Sequence, residues 1–109
     1  MKEIRKPTLY PNSKKILQNL GENIRLARLR RKLPMDKVAE RGGLSRSTLI
    51  KIEKGDPGVT IGHYVQILFV LKLDHDLSNV AKDDELGRKI LDAGLVTKQR
   101  APKRKSDQK

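Results

Sequence analysis

Residues 44–55 read L-S-R-S-T-L-I-K-I-E-K-G, the pattern of a short helix bounded by a serine and a glycine. Ser45 can accept a hydrogen bond from the free N–H groups of a first turn, and Gly55 can take the left-handed conformation that ends a helix. At ~100° per residue, Leu49 and Ile52 lie within roughly 60° of each other and point at a core. Arg46, Ser47, Ile50, Lys51 and Lys54 fill a separate arc of about 140°. A free face of cations, a hydroxyl and one exposed β-branched residue suits a DNA major groove.

Working outward from that stretch, Gly42-Gly43 make a turn, and residues 35–41 before it form a short helix with Val38 and Ala39 inward. Pro34 marks the end of one helix or the start of the next. Further upstream, apolar residues recur with helical spacing at Ile16, Leu17, Leu20, Ile24 and Ala27. Ser13 is the expected cap of that helix, and Gly21 weakens its middle without requiring a break. Residues 1–12, with Pro7 and Pro11, read as an extended arm.

Downstream, G-D-P-G at residues 55–58 is a loop. Thr60 can cap a helix through Leu71 that carries Ile61, Tyr64, Val65, Leu68 and Phe69. Another begins near Asp74 with Leu77 and Val80, and a last one covers residues 83–93 with Leu86, Ile90 and Leu91. Nothing alternates with period two for long enough to make a strand, and no segment repeats. The expected division is an arm (1–12), a helix-turn-helix domain (13–80), a short helical extension (81–95) and a basic tail (96–109) that is disordered when alone.

The 25 Lys and Arg outnumber the 13 Asp and Glu, for a net charge of +12 in 109 residues. The distribution is uneven: residues 1–13 carry +2, residues 14–54 carry +8, residues 55–95 carry −3 and residues 96–109 carry +5. The sign changes just after the candidate helix, which points to a polyanion on one side and something else on the other. With 36% apolar residues and only Tyr10, Tyr64 and Phe69 as aromatics, the core must be small and aliphatic, and dimerisation would add buried area.

Several classes of function are disfavoured. There is no cysteine, hence no disulfide framework or thiolate metal site. The first residues lack the apolar run of a signal peptide, and no stretch approaches the ~20 apolar residues of a membrane span. His63 and His75, the two histidines, have no metal-ligand spacing, and His63 is expected to be partly buried in its apolar helix. No phosphate loop or nucleophile constellation is present, so neither an enzyme nor a cofactor is expected. Binding to RNA or single strands would normally use aromatic stacking platforms, which three scattered aromatics supply poorly.

Two short helices at a tight turn, the second basic outside, describe a helix-turn-helix. The order L-G-E-N-I-R-L-A-R-L-R-R, V-A-E-R-G-G-L-S-R-S-T-L-I-K-I-E-K-G and T-I-G-H-Y-V-Q-I-L-F-V-L-K-L resembles the lambda-repressor-like, or Xre, family of bacterial DNA-binding proteins over about residues 20–73. The resemblance implies an all-α, five-helix DNA-binding domain in a cytoplasmic, nucleoid-associated bacterial protein. It implies that Arg46, Ser47 and Lys51 project to base edges, with Ser45, Lys54 and the loop after Gly55 near phosphates. It further implies that Arg28 on the first helix pairs with Glu53 as a structural brace. Two positions depart from the family pattern. Met35 stands where a glutamine usually contacts phosphate and steadies the first reading residue; Met35 and Lys37 are nonetheless expected near phosphate. Gly42 replaces an apolar residue, which predicts a looser turn.

A narrower resemblance, carried by E-K-G-D-P-G-V and by the ending L-G-R-K-I-L-D-A-G-L-V-T-K-Q-R-A-P-K-R-K, is to HipB-type antitoxins. These repress their own operon and bind a HipA-like kinase toxin. A free-standing Xre regulator, a prophage repressor and a restriction-modification controller are the alternatives. Whichever applies, Arg46 can donate two hydrogen bonds to guanine, Lys51 reaches guanine or phosphate, and Ile50 meets a thymine methyl or is a scattered surface residue. Ser47 reads a base, meets a phosphate or is a plain helix position. Arg25, Arg30, Arg31 and Lys32 form a solvated basic face. One domain reads only a few base pairs, so a homodimer on a palindromic operator is expected, with Leu77, Val80, Leu86, Ile90 and Leu91 as seam or partner candidates and intrachain core as their alternative. The run Asp83-Asp84-Glu85 either engages a partner or is a helix start favoured by its dipole.

Overall fold

The computed structural model describes residues 6–97. Helix α1 spans Pro11–Arg30, α2 Met35–Gly42, α3 Arg46–Glu53 and α4 Ile61–Val70; a 3-10 helix follows at Asp74–Asn79, and α5 spans Glu85–Thr97. Among the described residues there is no strand, and the order is the expected all-α, lambda-repressor-like one. The chain divides into two compact units, with the boundary between Ser78 and Asn79.

The helix ends follow from local chemistry. α1 starts at Pro11, not after Ser13: proline in the first position lacks an N–H that would be unpaired there anyway, and its φ is already helical. Residues 11 and 12 therefore belong to the helix, not to an arm. Pro34 precedes α2, and its carbonyl accepts from the Lys37 and Val38 N–H groups at 3.1 and 3.2 Å. Four helices end in one way, with the N–H of the residue after a left-handed one returning to a carbonyl five residues earlier: Leu33 to Arg28, Leu44 to Ala39, Asp56 to Lys51 and Leu73 to Leu68. The left-handed residue in that motif is glycine at Gly43 and Gly55 but lysine at Lys32 and Lys72.

The core of the first unit gathers Ile24 and Ala27 of α1, Val38 and Ala39 of α2, Leu49 and Ile52 of α3, and Tyr64, Ile67, Leu68 and Leu71 of the α4 region. Leu33, Leu44 and Leu73, which follow the left-handed residues, pack against its edge. Several expected inward residues are not inward. Ile16, Ile61 and Phe69 are 60%, 72% and 63% exposed, and His63 is exposed as well. Ile67 and Leu71, absent from the expected set, are fully buried instead.

Two glycines act through close approach. Gly21 is buried in α1, and a Cβ there would lie 2.6 Å from both the Gly55 amide nitrogen and the Ile52 carbonyl oxygen; a Cβ on Gly55 would lie equally close to the Gln18 Cα and Leu17 carbonyl. The crossing of α1 over the end of α3 therefore depends on both side chains being absent. Gly42 is also buried, and a Cβ there would meet the Ile67 Cδ1 at 2.8 Å. The expected looseness of the Gly-Gly turn is corrected accordingly: Gly42 is the packed last residue of α2, and only Gly43, at φ 73°, makes the turn.

In the second unit, the Asp84 carboxylate accepts from the Gly87 N–H at 3.0 Å, and its carbonyl accepts from the Arg88 N–H at 3.0 Å, which starts α5. Ion pairs join Arg88 to Asp83 at 3.1 Å and Lys89 to Glu85 at 3.5 Å. The helix begins two residues later than expected and continues to Thr97. The disorder expected of the tail from residue 98 onward, and any contribution of residues 1–5, lie outside the described residues.

Candidate nucleic-acid interface

The stretch at residues 44–55 is rigidly seated. Ser45 caps α3 by accepting from the Thr48 N–H at 3.1 Å. Its hydroxyl also lies 2.9 Å from the Thr48 hydroxyl and 3.1 Å from the Ser47 hydroxyl. Ser47, a candidate reader, is thus partly committed to the cap cluster. Leu49 and Ile52 are fully buried, which fixes the roll of the helix about its axis.

The roll is also held by a buried pair. Arg28 Nε donates to Glu53 Oε2 at 2.6 Å and Arg28 Nη2 to Glu53 Oε1 at 3.1 Å, while Nη1 donates to the Leu33 carbonyl at 3.1 Å. Both residues are nearly inaccessible, at 9% and 7% exposure. The hydrogen bond to Glu53 and its charge raise the Arg28 pKa further, against the opposing effect of burial. One guanidinium so ties the end of α1, the turn after it and the last residue of α3 together.

With that face locked inward, Arg46, Lys51 and Lys54 are left exposed on the other. Ile50 is half-buried, at the margin of the free arc and not fully on it. Met35 is half-buried and packed against the core, so its side chain is directed to the interior; what it offers outward is the backbone N–H at the start of α2. Lys37 is exposed one turn along. At the end of α1 and in the turn after it, Arg30, Arg31 and Lys32 are exposed, and Arg31 Nη1 donates to the Ala27 carbonyl at 3.0 Å; within α1, Arg25 pairs with Glu22 at 3.0 Å.

Two features at this face were absent from the sequence reading. The first is an ion pair between Arg46 Nε and Asp36 Oδ1 at 3.3 Å, linking α3 to the first turn of α2. The second is the loop after α3. Asp56 accepts from the Gly58 N–H at 2.7 Å through Oδ1 and pairs with Lys6 Nζ at 3.1 Å through Oδ2. The Tyr64 hydroxyl donates to the Asp56 carbonyl at 2.9 Å. The Gly58 N–H, followed by Lys6 and Lys51, holds the Asp56 carboxyl below the usual range despite its burial. Burial, with the Asp56 charge nearby, pushes Tyr64 up to about 12. Lys6, Lys51, Asp56, Gly58 and Val59 line a shallow recess beside the free end of α3.

Of the seam candidates, Leu77 is half-buried against the core of the first unit. Val80, Leu86, Ile90 and Leu91 are 66%, 68%, 62% and 61% exposed.

A short helix seated in a turn-linked pair, one face locked and the other basic, defines a helix-turn-helix. The comparison with known families agrees: residues 24–77 match the family described as helix-turn-helix. The chain carries an Xre-like helix-turn-helix domain over those residues, and it is a DNA-binding transcription regulator. No curated protein matches the chain. Among the described residues, no helix is long and apolar enough to cross a membrane.

Proposed function

We propose that the chain is a sequence-specific repressor that binds double-stranded DNA as a homodimer on a palindromic operator. The observation that carries this reading is the asymmetry of α3: one face is immobilised by Leu49, Ile52 and the Arg28–Glu53 pair, and the opposite one exposes Arg46, Lys51 and Lys54. Immobilising a helix while leaving its cations free costs more than surface charge requires, and it is what reading base edges requires. Arg46 and Lys51 are assigned to base edges, with Ser47 and Ile50 at the margin of the readout. Ser45, Lys54, Lys37 and the Met35 amide are assigned to phosphates, with the basic end of α1 adding sequence-independent attraction.

Half-sites in such a complex lie about 34–36 Å apart, one helical turn of DNA. Val80, Leu86, Ile90 and Leu91, the more exposed of the candidates, are assigned to the seam between copies ahead of Leu77, which is half-buried against the core. The narrower reading is a HipB-like antitoxin that represses its own operon and binds a HipA-like kinase toxin. It is supported by the E-K-G-D-P-G-V loop and the basic ending of the chain, and it predicts a kinase frame beside this gene whose product co-purifies with the regulator.

The test is Arg46→Ala. A bidentate arginine–guanine contact is worth about 1–3 kcal/mol, so affinity for a selected duplex should fall roughly 5- to 150-fold. Random duplex should lose far less. An equal loss on both would remove Arg46 from readout, and tighter binding to RNA or single strands at matched salt would overturn the repressor reading.

A further inference from the structure

We propose that Asp36 is a positioning residue for Arg46, and that it sets how strongly the protein discriminates for one guanine in its operator. The inference rests on the reading of Arg46 as a base reader. Among the described residues, Asp36 is the one carboxylate within ion-pair distance of a candidate reader, and the pair bridges two helices: Asp36 lies in the first turn of α2 and Arg46 opens α3. Its contact is with Nε, on the side edge of the guanidinium. A carboxylate there leaves both terminal amino groups free, and those two groups together match guanine O6 and N7. Holding Nε therefore selects an end-on approach to the base and restrains the long side chain from swinging toward a phosphate.

The dipole at a helix start favours a carboxylate at this place but does not account for its pairing with Arg46. Both side chains are open to solvent, Asp36 at 82% and Arg46 at 63%, and an exposed pair of this kind adds little to stability. In the first turn of α2 a carboxylate also repels the phosphates that the same helix start would attract. On a chain of net charge +12, a negative group at that place lowers general affinity for DNA. The return is selectivity: an arginine held for guanine and a phosphate approach made less favourable together widen the gap between the right and the wrong sequence.

The experiment selects duplexes from a randomised library with the intact protein. Binding of wild type, Asp36→Ala, Asp36→Asn, Arg46→Ala and the Asp36→Ala/Arg46→Ala double variant is then measured at matched salt. Targets are the selected duplex, its single-base variants and a random duplex. Asp36→Ala should lower discrimination at one guanine by roughly 2- to 5-fold, the range an exposed pair can supply, while binding random duplex as tightly as wild type or more tightly, with a steeper salt dependence. Asp36→Asn, which keeps a carbonyl acceptor without the charge, should be intermediate. The double variant should discriminate no worse than Arg46→Ala alone. If Arg46→Ala loses the guanine preference and Asp36→Ala keeps it, the positioning role is overturned and the base-reading role of Arg46 stands. If Arg46→Ala keeps the preference, both roles fall; if wild type selects no consensus, the repressor reading falls with them. Circular dichroism and thermal melts of the variants should match wild type, as expected for a change at so exposed a residue.

Discussion

Gly21→Ala separates two physical arguments by the sign of its effect. Within an isolated helix, replacing glycine by alanine is favourable by about 1 kcal/mol. In the folded domain the new methyl would lie 2.6 Å from the Gly55 nitrogen and the Ile52 oxygen and 2.8 Å from the Glu53 oxygen. All three are backbone atoms, so no side chain can rotate away, and α1 must lift from the end of α3. Overpacking of this kind typically costs 1–3 kcal/mol and occasionally about 4 or more. The same lift stretches the Arg28–Glu53 pair, whose short bond of 2.6 Å leaves little slack, so the upper part of that range applies. After subtracting the propensity gain, the expected net loss is about 1–3 kcal/mol. For a domain of this size that corresponds to a melting temperature lower by roughly 4–20 °C. Urea unfolding at neutral pH, with the slope checked for constancy, measures it. A neutral or stabilised Gly21→Ala would refute the close helix crossing as drawn.

Two other perturbations test the brace and the loop. Glu53→Ala leaves the Arg28 guanidinium buried without its partner, for an expected loss of about 3–5 kcal/mol; a loss under about 1 kcal/mol by urea unfolding would mean that the pair is solvated in solution. Tyr64, held near 12 by burial, keeps a proton in the native state that the unfolded chain releases above about 10. The native state therefore loses stability as pH rises through that window, by up to about 2–3 kcal/mol. Tyr64→Phe should be less stable at neutral pH through loss of the bond to the Asp56 carbonyl, yet should lack this alkaline fall. Parallel slopes for the two proteins between pH 9.5 and about 11.5 would contradict the burial of the phenol.

The elements were legible where their causes are local. Ser45, Gly55, Leu49 and Ile52 could be placed from capping chemistry and a 3.6-residue period, and the structure puts them where those rules direct. α4 was less legible for a stated reason. Its sequence, I-G-H-Y-V-Q-I-L-F-V, is apolar nearly all round, so periodicity cannot choose the buried face. Contacts with α2 make that choice, burying Ile67 and leaving Ile61 and Phe69 in solvent. Gly21 and Gly42 are the same lesson at single residues: each looks like a weak point along its own helix, and each is approached closely by a neighbour more than twenty residues away, by backbone at Gly21 and by the Ile67 side chain at Gly42.

For the interface, helical periodicity indicates which side chains leave the core but not what they meet outside it. Asp36 in isolation is accounted for as an acid in a first helical turn, favoured by the dipole. Only the crossing of α2 and α3 brings its carboxylate to Arg46. Lys6 and Asp56, fifty positions apart, are joined in the same way. These two acids share a property that composition conceals. General attraction to DNA is abundant in a chain with twelve excess positive charges, so adding another cation changes affinity more than choice. Discrimination between sequences is the scarcer quantity, and it is improved by groups that hold a reader in place or subtract charge beside it. On the proposed interface the candidates for that role are carboxylates, which makes Asp36 a more informative position to mutate than any further lysine.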